Sequence, residues 1–306
     1  MNTKKLLLAL SISAISSTSA MASTLGVSMA YFDDNFLTIV RNNMSDEAKK
    51  QSTEINFEDA QGDIGRQVSQ IQNFIASGVD AIIVNPVDSA ATGKMIKLAT
   101  EAKIPLVFVN RKPDSDKLPE GVAFVGSNEL DSGTLEMQEL AKLAGEKGNV
   151  AIMVGELGTN AAQLRTKDVE DVVAKHPDMK IVEKQVANWS RNEAIDLMTN
   201  WLTNGTKIDV IAANNDEMAI GAIMALQQAG VDPKPYFIGG VDATPDALTE
   251  IEKGNLDVTV FQDAAGQGAG SVDVALKMAK GENVEQWNWI PFQLVTPENY
   301  KQFMKN

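Results

Sequence analysis

Short apolar runs recur along the chain at the spacing of strand–helix units. They fall at 24–30 (TLGVSMA), 53–58, 79–85 (VDAIIVN), 105–110 (PLVFVN), 122–126, 149–155 (NVAIMVG), 181–187, 209–214 (DVIAAN), 236–241 (YFIGGV) and 256–262 (LDVTVFQ). The runs are continuous more than alternating, as expected of parallel strands covered on both faces. Helical stripes lie between them. Val68, Ile71, Phe74 and Ile75 share one face of a helix over 66–77, and Ala194, Leu197, Met198, Trp201 and Leu202 share another over 191–204. Gly78 and Gly205 stand where a C′ glycine ends each helix. The pattern predicts an α/β protein of doubly wound parallel sheets with helices on both faces.

The pattern also repeats. GVDAIIVN (78–85) resembles KIDVIAAN (207–214), and the following strands end in VNR (109–111) and GVD (240–242). Two similar halves predict two sheets. Ligands of such sheets bind beyond the carboxyl ends of the strands, so two facing sheets would form a cleft there. A length of 306 residues agrees with two domains.

The first 22 residues do not fit this pattern. Lys4 and Lys5 precede an apolar stretch from Leu6 to Ile15, and Ala20-Met21-Ala22 forms an A-x-A cleavage site. This is the order of a cleavable secretory leader, too short to span a bilayer, with the mature chain starting at Ser23. The expected location is a bacterial periplasm. Removing the leader takes away two lysines and no acid, so the net charge moves from −14 to −16. Such a chain repels phosphate backbones, which argues against nucleic acid as a partner. With no cysteine and one histidine (His176), the chain has no thiol nucleophile, disulfide or paired-imidazole metal site. His176 precedes Pro177 at an expected helix end, on the surface.

Candidate chemistry gathers at the strand ends. Asp33 and Asp34 follow the first strand, Asn110-Arg111 the fourth, and Asn214-Asn215-Asp216 opens a helix in the second half; Asp242 and Gln262 end later strands. Carboxylates and amides accept from hydroxyls, while amides and guanidinium donate to them. Tyr31, Phe32, Phe36 and Trp189 lie close by in sequence. Flat faces beside planar polar groups suit a sugar or cyclic polyol. Ser127, Asp216 and Thr244 read most simply as helix caps. After GQGAG (266–270), Ser271 stands where a dinucleotide loop would need its third glycine, so the run reads as close helix packing.

The segments ANNDEMAIGA (213–222) and VDATPD (241–246) resemble those of type I periplasmic sugar-binding proteins of the ribose-binding group. VNRKP (109–113), FVGSNE (124–129), GELG (155–158), ANW (187–189), WLTNGTKID (201–209), LDVTVFQ (256–262) and WIPFQLVTPENY (289–300) are most similar to the myo-inositol/rhizopine branch. The resemblance implies two lobes joined by three hinge strands: residues 23–127 plus 263–290, and 128–262 plus 291–306. It implies a monomer without cofactor or metal that closes on its ligand and delivers it to an ABC permease, with a chemoreceptor as a further possible partner. Carried over residue by residue, the ligand contacts are Phe32, Asp34, Phe36, Asn110, Arg111, Arg165, Trp189, Asn215, Asp242 and Gln262. Phe32 and Phe36 would sandwich a six-membered ring against Trp189. Two departures stand out: Asn110 replaces the usual aspartate, which weakens the case for ribose, and Asp168-Val169 replaces a Gly-Phe pair.

The resulting expectation is a binding protein for myo-inositol or a related cyclic polyol. A ribose- or galactose-type monosaccharide is the alternative ligand. A glycosidase using Asp34 and Asp242 is the enzymatic alternative. A repressor of the same fold would need a basic DNA-binding segment where the leader stands.

Overall fold

The structure, a computed structural model, describes residues 23–304. The leader expected at 1–22 lies outside the described residues. The chain begins with β1 (Thr24–Met29), α1 (Asn35–Lys50), β2 (Glu54–Asp59), α2 (Ile64–Ser77), β3 (Ala81–Val84), α3 (Thr92–Ala102), β4 (Leu106–Val109) and β5 (Val122–Gly126). It continues through α4 (Ser132–Leu143), β6 (Lys147–Val154), α5 (Asn160–Val173), β7 (Asp178–Val186), α6 (Arg191–Thr203) and β8 (Val210–Ala213). Then come α7 (Asp216–Gln228), β9 (Phe237–Gly239), α8 (Pro245–Lys253), β10 (Thr259–Phe261), α9 (Ala264–Ala279), β11 (Trp287–Trp289) and β12 (Gln293–Val295). Most helices start on a short polar side chain that accepts a first-turn N–H, among them Asp34, Asp63, Thr159, Ser190, Asn215, Thr244 and Asp263.

The first sheet has the order β11-β5-β4-β3-β1-β2, with all neighbours parallel. The second runs β7-β6-β8-β9 in parallel. Bridges Gly239–Val258 and Asp242–Phe261 then attach the β10-β12 pair. The two orders correspond strand for strand, so the repeat legible in the sequence is a repeat of topology. It extends to hydrogen bonds. Asn85, just past β3, accepts from the Ala30 N–H beyond β1, and Asn214, just past β8, accepts from the Gly155 N–H beyond β6. Both asparagines are fully buried, and each ties two strand ends together.

Strands β3, β4, β5 and β8 are buried along their whole length, as their unbroken apolar runs require. Helices α1 and α9 cover one face of the first sheet, and α2 and α3 the other. Helices α6, α7 and α8 cover one face of the second, and α4 and α5 the other. Close approach of α9 to α1 depends on Gly268, where a Cβ would lie 2.4 Å from the Val40 carbonyl oxygen. The glycine run at 266–270 is therefore packing, as its sequence suggested.

The chain crosses between the sheets three times. It leaves after β5, since α4 packs against α5, β8 and β9. It returns between β10 and α9, which packs on α1, β3, β4 and β5. It crosses again between β11 and β12. The fold is thus two doubly wound lobes joined by three strands, as expected, with one difference: β12 runs antiparallel to β10. Strands β11 and β12 were not foreseen, because each has three residues and neither is an apolar run.

Candidate functional site

A cavity lies between the lobes, at the carboxyl ends of both sheets. Nine of the ten residues expected to contact ligand line it. From the first lobe come Asp34, Phe36, Asn110 and Arg111; from the second, Arg165, Trp189, Asn215, Asp242 and Gln262. Most sit one to five residues past a strand end, where the backbone turns toward a helix.

Phe32 is the exception. It does not line the cavity; its ring is covered by the Arg41 guanidinium at 4.2 Å, and Arg41 also donates to the Phe32 carbonyl at 3.0 Å. The arginine on α1 reaches back to the loop that precedes it and holds the ring there. Of the three rings expected around the ligand, Phe36 from one lobe and Trp189 from the other line the cavity.

In the first lobe Asp34 both caps α1, accepting from the Leu37 N–H at 2.8 Å, and lines the cavity. Burial pushes its carboxyl above the ordinary aspartate value, against the lowering effects of that N–H and of Arg111. Asn110 has φ of 65° and accepts from the Asn85 amide at 3.1 Å. Arg111 donates to the carbonyls of Pro86 and Val87 and lies 3.1 Å from Glu156 of the opposite lobe.

The second lobe is organised by Arg165. Its Nε and Nη2 donate to the two oxygens of Glu129, at 2.8 and 3.1 Å; Nη2 also donates to Gln262 Oε1 and Nη1 to the Asn214 carbonyl. Asp242 Oδ1 lies 4.0 Å from Nη1. This is a buried, bidentate and charge-assisted arrangement. Burial still drives the Asp242 carboxyl well above the ordinary value, with Arg165 offsetting only part of it. Gln262 spends its oxygen on Arg165, and its buried Nε2 has no acceptor among the described residues. A buried unpaired donor on a cavity wall is suited to a ligand oxygen. Asn215 caps α7 by accepting from the Met218 N–H and donates to the Trp189 carbonyl at 3.3 Å.

Backbone strain collects here. Asn110, Trp189 and Asp242 all have positive φ (65°, 62° and 128°), which costs about 1–3 kcal/mol per residue. For a residue as bulky as tryptophan this is a marked outlier.

The sequence reading missed Leu37, Glu129, Thr159 and Ala161, which also line the cavity. Glu129 falls within the FVGSNE segment, yet nothing in the sequence pairs it with Arg165 on another helix. Thr159 caps α5 and so looks like an ordinary cap. Two cap assignments need correction. Asp216 is not a cap: buried in the first turn of α7, it accepts from the Thr244 N–H and from the hydroxyls of Thr244 and Thr259, bracing α7 against the start of α8. Ser127 caps no helix; it accepts from Gln267 beside a crossing strand. Thr244 does cap α8. His176 follows α5, partly buried and 3.6 Å from Glu146, outside the cavity.

Asp168, where the resemblance pattern has glycine, is buried beside Gly133 of α4, and its Oδ2 has no partner among the described residues. Burial raises its carboxyl from 3.8 to about 6. As pH rises from the unfolded value to about 6, the unfolded chain gives up a proton that the folded protein still holds. Stability falls across that window. Asp168→Asn is expected to remove this slope and to stabilise the protein at pH 7 by ~1–2 kcal/mol after solvent screening. Melting curves of variant and parent at pH 4 and pH 7 check it; parallel shifts at both pH values would reject the assignment.

A family model described as "Periplasmic binding protein domain" matches residues 25–283. A Rhizobium meliloti protein named as a candidate rhizopine-binding protein is 54% identical over 304 residues, 98% of each chain. The ribose import binding protein of Salmonella typhimurium is 31% identical over 299 residues, 96% of this chain and 99% of that one. Among solved structures, an ABC transporter solute-binding protein from Bacillus halodurans with bound myo-inositol superposes with a TM-score of 0.88 at 45% identity. The match covers 92% of this chain and 97% of that one. These relatives are solute-binding proteins, not enzymes, which removes the glycosidase alternative. The chain belongs to the periplasmic binding protein family, within the sugar-binding group of ABC transporter solute-binding proteins.

Proposed function

We propose that the protein captures myo-inositol or a closely related cyclic polyol between its lobes and hands it to an ABC permease in the inner membrane. The observation that carries this reading is the cavity itself. Carboxylates, amides and guanidinium groups approach it from both lobes, with an aromatic side chain from each. A cyclitol carries hydroxyls around its whole rim and C–H on both faces. Asp34, Asn110 and Arg111 serve one side of that rim. Asp242, Gln262 and Asn215 serve the other, and Phe36 and Trp189 supply the faces. Asn110 favours this ligand over ribose, because an amide both donates and accepts where a carboxylate would hold a pair of hydroxyls. The Bacillus relative with bound myo-inositol and the Rhizobium relative named for rhizopine support the same class.

The lobes, 23–127 plus 263–290 and 128–262 plus 291–306, turn about the three crossings. Ligand touches both lobes only when they are closed, so binding shifts the open–closed equilibrium. The permease reads the closed outline, and a chemoreceptor could read the same one. The leader sends the chain to the periplasm, where it acts as a monomer.

Protein stripped of carried ligand by unfolding and refolding tests the reading. At ~100 times its dissociation constant a ligand stabilises by ~2.7 kcal/mol, which raises Tm by on the order of 5 °C. That shift is expected with micromolar myo- or scyllo-inositol and not with ribose, galactose, glucose or xylose. A shift with an aldose alone removes the cyclitol and keeps the transport role.

A further inference from the structure

Among the described residues, polar contacts that join the lobes at the mouth of the cleft gather on one loop, residues 155–160 after β6. Glu156 lies 3.1 Å from Arg111. The Gly158 carbonyl accepts from the Ser89 N–H at 3.0 Å, and the Asn160 N–H donates to the Ser89 hydroxyl at 3.4 Å. A second contact lies apart from this loop: Asn35 donates at 2.9 Å to Glu217, which Arg191 already holds with two bonds of 2.8 Å. Tyr31 lines the same stretch of cleft as Glu156, and its hydroxyl pKa is pushed up to about 12 by burial and then by that carboxylate.

Glu156 is not part of the cavity lining, whereas Arg111 is. The other hydrogen bonds of Arg111 go to neutral carbonyls within its own lobe. Its side chain is 7% exposed and that of Glu156 20%, so the pair is far better shielded than an ordinary surface ion pair. Opening the lobes separates the two groups and returns them to water. The contact therefore belongs to the closed form alone, and a contact of that kind biases the open–closed equilibrium whatever lies in the cleft.

We propose that the 155–160 loop is a closure latch in which Glu156, acting through Arg111, sets how long the closed cleft retains its ligand. The choice of probe rests on the polyol reading; the latch does not. Because Glu156 itself stands outside the cavity lining and Arg111 stays held by the Pro86 and Val87 carbonyls, losing the latch scales the affinity of related ligands by one factor and leaves their ratio alone. A residue that contacts ligand would change the ratio.

The chain has no cysteine, so Lys97→Cys on α3 and Lys167→Cys on α5, both well exposed, can carry a pair of distance labels, one per lobe. In Glu156→Gln, dissociation of myo-inositol and of scyllo-inositol is expected to accelerate equally, on the order of tenfold, the scale of one shielded charge-assisted hydrogen bond. The ligand-free melting temperature should not move. Tyr31→Phe should give a smaller acceleration of the same kind. An unchanged dissociation rate in both variants overturns the latch, as does a changed ratio between the two inositols. If the parent protein binds neither inositol, the polyol reading fails and the labels still decide the latch. A lower closed fraction in ligand-free Glu156→Gln than in the parent supports it, and equal fractions overturn it.

Discussion

Asp242→Asn is expected to weaken polyol binding by on the order of 30- to 100-fold while raising the melting temperature of the ligand-free protein at pH 7. The two effects share one cause. Burial holds the Asp242 carboxyl well above its ordinary pKa, and Arg165 at 4.0 Å only partly offsets this. A carboxyl whose folded pKa is raised stabilises the fold at low pH. That contribution is lost as pH rises from the unfolded value through the folded one, so the free protein at neutral pH bears the cost of an ill-solvated carboxylate. In the proposed complex, ligand hydroxyls supply the missing donors. An amide of the same shape carries no charge and no such cost, but it offers one acceptor oxygen where the carboxylate offers two. Losing charge-assisted hydrogen bonds costs about 2–3 kcal/mol of binding. Asparagine is chosen because φ is 128° at this position and a change of shape would add backbone effects of its own. Calorimetric titration with myo-inositol and melts of both proteins without ligand read the two halves. A parent-like dissociation constant would remove Asp242 from the site, and a lowered melting temperature would show that Arg165 more than repays its burial. The expected outcome is stability given up at a site for function, as at many binding sites.

How much of this was legible beforehand follows from where each signal lies. Buried parallel strands announce themselves as apolar runs, and all ten expected strands are present. Three-residue strands at the sheet edges, WNW and QLV, carry no such run, and only tertiary pairing with β5 and β10 makes them strands. Strand-end residues were legible because topology alone places them at the cleft, which is why Asn110, Asp242 and Gln262 could be named. Phe32 does not line the cavity, because nearness in sequence says nothing about direction: Arg41, nine residues on, holds its ring elsewhere. The partners of Arg165 and Arg111 were not foreseen for a related reason. Glu129 and Glu156 pair with arginines far away in the chain, and no local spacing encodes such a pair. Asp34 and Asn215 each cap a helix and also line the cavity, so the helix-capping reading does not exclude a binding one.

Trp189→Ala is expected to weaken binding by on the order of 10- to 100-fold, the 1–3 kcal/mol scale of an aromatic hot spot. The ring is held unusually firmly. It lies so close over Gly155 that a Cβ there would come within 2.2 Å of it, Arg165 flanks it at 5.7 Å, and Asn215 fixes its carbonyl. A strained backbone held by a glycine platform, a cation and a hydrogen bond is a costly way to place a side chain that only fills space, and the ring also lines the cavity. Its buried Nε1 has no acceptor among the described residues, so two roles are open to it: an apolar face for the ring C–H groups, and a donor to a hydroxyl. Trp189→Phe separates them. It keeps a flat face and loses the N–H, so a loss below about threefold assigns the face, and a loss close to that of alanine assigns the donor. Gly155→Ala provides an independent check that leaves Trp189 in place. The added methyl must push the ring off its platform, and if ring position is what binding requires, this variant loses affinity nearly as far as Trp189→Ala does. Full affinity in Gly155→Ala, with the fold intact by circular dichroism, would mean that the position of the ring is immaterial and that Trp189 only closes the wall.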